Sequence, residues 1–106
     1  MSEKTSEILN EMLLKVVSEG SGKNAYIDGY DVCGKTGTAQ KYENGIIAAG
    51  KYVSSFVGYF PKTNPKYLAL VIIDEPTGQY YGSTVAAPYA KQVFEGIIKV
   101  KNICAI

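Results

Sequence analysis

Lys35-Thr36-Gly37-Thr38 puts one ammonium, two hydroxyls and one residue without a side chain into four consecutive positions, and Ala39 and Gln40 follow. The neighbouring segments favour β structure over helix. On an extended chain side chains alternate, so Lys35 and Gly37 share one face while Thr36 and Thr38 share the other. Two hydroxyl donors then point the same way. Gly37 has no Cβ, which lets a ligand lie close to the backbone and bond main-chain N–H groups. This chemistry suits an extended anionic peptide.

Other residues suggest other chemistry. Gly29-Tyr30-Asp31-Val32-Cys33-Gly34-Lys35-Thr36 satisfies the phosphate-loop pattern Gly-x4-Gly-Lys-Thr, and Leu70 to Glu75 imitates a strand ending in a magnesium-holding acid. A phosphate loop works only where it opens a helix whose N-terminal N–H groups bind the phosphates. Gly37 follows at once and Asn44-Gly45 turns the chain, so nucleotide binding is the minor alternative. There is no histidine, and the two cysteines are Cys33 and Cys104. That leaves no acid–base histidine and no zinc ligand set, and no metal or cofactor is expected. Cys33 reads as a small buried hydrophobe. Asp74 and Glu75 are adjacent on a strand and should face opposite ways, which argues against a carboxylate pair. Gln79, Tyr80 and Tyr81 read as packing or loop surface.

The whole chain, 1–106, is at most one small domain, 46% hydrophobic and 20% charged. A net charge of +1 predicts neither nucleic acid nor an anionic membrane surface as partner. The longest uninterrupted apolar run, Tyr67 to Ile73, is strand-sized, so no signal peptide or membrane span is expected within the chain.

The elements that must position the motif follow from periodicity. Ile8, Leu9, Met12, Leu13, Val16 and Val17 recur at helical spacing and predict a helix from Glu3 to Glu19 covering a sheet, with Ser2 as cap and Gly20 as stop. Gly20 to Asn24 is a polar loop, and Ala25 to Tyr30 a short extended piece. Val32 to Tyr42 is the motif strand. Asn44-Gly45 is a hairpin turn that folds Ile46 and Ile47 back on it. Strands follow at Tyr52 to Phe60 and Tyr67 to Ile73, antiparallel because only Pro61 to Lys66 joins them. Ala87, Ala90, Val93, Phe94, Ile97 and Ile98 mark a last helix, with Pro88 in its first turn and a fraying tail from Lys99 to Ile106. The fold class is α+β, a three-stranded antiparallel sheet flanked by an N-terminal and a C-terminal helix.

Lys35-Thr36-Gly37-Thr38-Ala39-Gln40 is similar to the third signature of the penicillin-binding proteins and serine β-lactamases. The longer context resembles the C-terminal part of a class B penicillin-binding transpeptidase domain. The strand Tyr52 to Pro61, the Asp74-Glu75-Pro76 strand end, Tyr81-Gly82 and Ala86-Ala87-Pro88 all carry the likeness, which runs from Ser2 to Ile98. None of the seven serines has a lysine three residues later or begins Ser-x-Asn. The resemblance therefore implies a fragment of a longer enzyme, carrying one wall of an active site whose nucleophile and base lie upstream.

It implies further that the parent is a D,D-transpeptidase at the outer face of a bacterial cell membrane. Its substrate would be the D-Ala-D-Ala end of a peptidoglycan stem peptide, and it would bind β-lactams. Lys35 and Thr38 would be catalytic, and Lys35 to Gln40 would bind substrate. In the family, the strand corresponding to Tyr67–Ile73 pairs on its far side with a strand that this chain lacks, so self-association through Tyr67 to Ile73 is expected. The alternatives are a non-enzymatic α+β interaction module, a hydrolytic relative, and the nucleotide binder.

Overall fold

Ser2 starts the ordered chain by accepting a hydrogen bond on its Oγ from the Thr5 N–H at 3.1 Å, with Glu3 in the first turn of α1 (Glu3–Glu19). In the computed structural model, which describes residues 1–105, α1 leads through a single 3₁₀ turn, Lys23–Ala25, to β1 (Cys33–Glu43), β2 (Ile46–Phe60) and β3 (Tyr67–Asp74). A short helix α2 (Gly82–Val85) and a longer one α3 (Ala87–Lys101) complete it. The three strands form one antiparallel sheet in the order β1-β2-β3. The α+β architecture of two main helices around three strands is as the sequence predicts.

Asn44 and Gly45 both adopt positive φ, 53° and 79°, the mirror-image turn that matches strand twist, and Glu43 pairs with Ile46. Ile46 to Phe60 forms one strand where the sequence suggested a fold-back and a separate strand. The register passes from Gln40 opposite Tyr52 to Tyr42 opposite Ile47, so Lys41 stands against the stretch Ala48 to Lys51. Gly50, at φ 78°, absorbs that irregularity without breaking the strand.

Three further expectations are corrected. Ala25 to Tyr30 is a chain of turns, because Tyr26 and Tyr30 N–H groups bond back to Lys23 and Ile27 carbonyls. The end of the chain is held as far as Ile103: α3 runs to Lys101, Asn102 caps it in the left-handed conformation, and the Tyr30 hydroxyl donates to the Ile103 carbonyl at 2.8 Å. Ile106, part of the expected fraying tail, lies outside the described residues. The apolar stripe of α1 is also largely uncovered. Val17 is buried, but Ile8, Leu9 and Met12 are exposed, and Asn10 turns inward to bond Tyr59 and Lys62.

The two sheet faces differ. On the inner face Phe56, Phe60 and the covered residues of β3 meet α3, with Phe94 edge-on to Phe60 at 5.0 Å between ring centres. Tyr59, adjacent to Phe60, points to the other face and reaches Asn10 of α1. Because Phe94 is fully buried on α3, Phe94→Ala should cost about 3–5 kcal/mol of unfolding free energy. The partly exposed Val93→Ala should cost far less. Urea titrations of the two variants check this, and equal losses would mean that α3 does not pack as described.

Candidate functional site

Lys35 to Gln40 lie in the middle of β1, an edge strand, so one side of their backbone has no strand partner among the described residues. This answers the phosphate-loop pattern: Lys35 and Thr36 continue a strand and open no helix. Thr36 and Thr38 stand opposite Phe56 and Ser54 and share the inner face, as alternation requires. Lys35 and Gly37 take the outer face, where the Lys35 ammonium lies 3.1 Å from the Thr36 carbonyl oxygen.

The inner-face hydroxyls are held by elements distant in sequence. Ser21, just past α1, is 3.3 Å from the Thr36 hydroxyl. The Gly82 N–H, at the start of α2, donates to Thr38 Oγ1 at 2.9 Å. With that acceptor position engaged, the Thr38 hydroxyl hydrogen is left to donate to a ligand, and an anion is the partner that rewards it. Asn24 ties the 3₁₀ turn to α2 by donating to the Ser83 carbonyl at 2.6 Å, so α1's exit and α2's start are fastened together behind the threonines.

Two glycines explain the tightness. A Cβ on Gly82 would fall 2.5 Å from both the Gly37 and the Ser55 carbonyl oxygens. Only a bare Cα lets α2 approach the β1–β2 pair closely enough to reach Thr38. A Cβ on Gly37 would fall 2.5 Å from Ser55 Oγ. The space that the sequence reserved for ligand approach on that face is therefore filled by a cross-strand hydroxyl. Ser21, Ser55 and Gly82 were not legible as site residues, since each reaches the motif only through tertiary packing.

Beyond Gln40, Lys41 bonds Asp74 at 2.9 Å and Glu75 at 2.8 Å. The two carboxylates converge after all, because Glu75 leaves the strand at φ 50° and no longer alternates. Their hydrogen bonds hold the Lys41 ammonium well above the usual lysine range. Tyr52, opposite Gln40, stacks on Tyr80 with ring centres 4.0 Å apart, and Ser54 donates to the Tyr80 carbonyl. The loop 75–81 is thus fastened across the end of the motif strand.

Cys33, at the start of β1, is fully buried, and burial pushes its thiol up; burial likewise pushes the Tyr59 phenol beside it to about 12.

A family model described as the penicillin binding protein transpeptidase domain matches residues 1–95. A probable peptidoglycan D,D-transpeptidase PenA of Neisseria gonorrhoeae is 41% identical over 98 residues, 92% of this chain and 17% of that protein. The transpeptidase domain of Burkholderia pseudomallei penicillin-binding protein 3 superposes with a TM-score of 0.86 at 36% identity, over 99% of this chain and 32% of that one. Penicillin-binding protein 3 of Mycobacterium tuberculosis, solved with ampicillin, superposes at 0.85 with 26% identity, over 99% and 26%. The chain thus spans about a sixth of the length of the curated relative.

Two predictions follow from this geometry. Gly82→Ala should force α2 off the sheet, exposing the amide at position 82 to rapid hydrogen exchange while the β1–β2 ladder stays protected. Retained protection at that amide would refute the close approach. Native-state maleimide should label the exposed Cys104 and leave Cys33 unmodified until the chain is unfolded. Equal labelling of the two would show that Cys33 is accessible.

Proposed function

Because this chain belongs to the penicillin-binding protein transpeptidase family, we propose that it is part of a peptidoglycan D,D-transpeptidase and supplies its substrate-binding strand. The observation that carries the reading is the Thr38 hydroxyl on a strand edge with no strand partner among the described residues, its acceptor side occupied by the Gly82 N–H, which leaves its proton to be offered to an anion.

The substrate is the D-Ala-D-Ala end of a stem peptide, or a β-lactam in its place. The terminal carboxylate takes hydrogen bonds from Thr36 and Thr38 and lies in the field of Lys35. Gly37, Ala39 and Gln40 offer backbone along which the peptide extends. The Thr38 N–H is one of two donors to the oxyanion that forms when a serine attacks the carbonyl, and Lys35 helps polarise the groups around that serine. The acyl group then passes to an amine of a neighbouring stem peptide.

No serine of this chain carries the spacing of the nucleophile, so the attacking serine and its base belong to another part of the parent protein. Among the described residues no helix is long and apolar enough to cross a membrane. The parent acts at the extracytoplasmic face of the cell membrane, where its substrate lies.

The 106-residue chain alone should form no covalent adduct with a fluorescent penicillin, as read by intact mass. A stoichiometric adduct would overturn the division of labour proposed here. In a full-length parent, Lys35→Ala should slow acylation by about 10²–10³-fold, the scale for removing an electrostatic group aimed at developing or bound negative charge. Unchanged acylation would remove Lys35 from the site.

A further inference from the structure

The loop 75–81 runs from the end of β3 to the start of α2, so its path sets where the Gly82 N–H meets Thr38. Thr77, Gly78 and Gln79 are exposed, and among the described residues no hydrogen bond holds 76–79. Hydrogen bonds therefore fasten the loop at its ends. At the far end Tyr52 stacks on Tyr80, and Ser54 donates to the Tyr80 carbonyl. At the near end the Glu75 N–H donates to the Tyr52 carbonyl at 2.8 Å, and the Lys41 ammonium bonds Asp74 and Glu75 at once.

β1 and β3 lie on either side of β2, about 9–10 Å apart, so a β1 side chain does not ordinarily serve the end of β3. The β1–β2 pairing makes an exception at this point. Gln40 faces Tyr52 and Tyr42 faces Ile47, which leaves Lys41 alone against Ala48 to Lys51. With no cross-strand neighbour in register, the Lys41 side chain crosses β2 to the two carboxylates. It is 28% exposed, so its ammonium is partly withdrawn from screening solvent.

Removing that charge has two local consequences. Asp74 and Glu75 share one ammonium, and without it they are two carboxylates held side by side. The other ammonium nearby, on Lys51, is 4.0 Å from Glu75 and already pairs with Glu43. Glu75 also stands at φ 50°, a left-handed conformation that a residue with a side chain adopts at a cost. The bond to Lys41 offsets that cost, and its loss frees Glu75 to return to extended backbone and redirect the loop.

We infer that Lys41 is a positioning residue for the acylation proposed above. It acts by neutralising Asp74 and Glu75 together, which fixes how the loop leaves β3 and, through the loop, keeps the Gly82 N–H on Thr38. Its kinetic effect rests on the transpeptidase reading, whereas its hold on the loop does not.

Both effects are measured on a full-length parent. Lys41→Met should speed hydrogen exchange at the Gly82 amide by at least about threefold, the scale of two lost surface ion pairs, while the β1–β2 ladder keeps its protection. Acylation by a fluorescent penicillin should weaken by a similar factor. The loss should appear in the penicillin concentration for half-maximal rate more than in the maximal rate, since a carboxylate contact through Thr38 is made equally before and during the reaction. Lys41→Arg should retain both properties. Asp74→Asn added to Lys41→Met should recover part of both, because the repulsion has gone. Lys62→Met, which breaks a surface pair with Glu11 away from the loop, should change neither. Should Lys41→Met fail to fold, Glu75→Ala removes the same bond from the side of the loop and should speed exchange at Gly82 in the same way. Unchanged exchange at Gly82, no recovery with Asp74→Asn, or unchanged acylation alongside faster exchange would overturn the role of Lys41. A parent that takes up no penicillin, with the exchange pattern as expected, would overturn the transpeptidase reading while confirming the hold on the loop.

Discussion

The close approach of Gly82 to β1 and β2 is the contact on which the arrangement of the motif depends. Two carbonyl oxygens, from Gly37 and Ser55, occupy the place where a side chain on Gly82 would begin. At that separation the α2 backbone reaches a strand side chain directly, and its N–H finds Thr38. The same approach leads straight into α3, whose Ala87, Ala90 and Phe94 complete the inner core. A hydrophobic core under the sheet and an oriented hydroxyl on its edge are thus two results of one backbone contact.

The far end of the motif strand is secured by different forces. Lys41 bridges the β1–β2 hairpin to Asp74 and Glu75, and Lys51 pairs with Glu43 at 2.6 Å. These pairs are exposed, and each contributes little to global stability. Their value lies in geometry, since Lys51–Glu43 ties the two strands of the hairpin together and the Lys41 pairs join the hairpin to the loop that carries Tyr80 across to Tyr52. The motif strand is therefore held by packing at one end and by charge and aromatic stacking at the other, while its outer edge carries no strand among the described residues.

Burial is distributed unevenly around this frame. The inner face has α3, the 3₁₀ turn and α2 upon it, and Val17 of α1 joins that core, while Asn10 of α1 meets the Cys33 and Tyr59 end of the outer face. Asn10 bonds Tyr59 and Lys62, which aims the polar side of α1 at the sheet and leaves Ile8, Leu9 and Met12 open. With Leu68, Leu70 and Ile72 they make the outer face more apolar than a fully formed surface needs. The chain covers 32% of a solved transpeptidase domain that it matches over nearly all its own length. An apolar outer face agrees with a unit whose fold is shared with a larger body.

Much of this was already determined by local chemistry. The helix of Glu3 to Glu19, the motif strand, the Asn44-Gly45 turn, the antiparallel β2–β3 pair and the Pro88 start of the last helix each follow from periodicity, capping or turn preference, which act over a few residues. The shared face of Thr36 and Thr38 follows from strand alternation alone. Which side of α1 would be buried did not, because its apolar stripe and its sheet-facing Asn10 compete, and the partner Tyr59 lies 49 positions away. The convergence of Asp74 and Glu75 on Lys41 required a positive φ that no local pattern announced. Ser21, Ser55 and Gly82 became neighbours of the motif only when helix and strands packed. Short-range preferences act between residues close in sequence, whereas the groups that orient Thr36 and Thr38 are brought together by long-range burial, so only the tertiary structure could decide them.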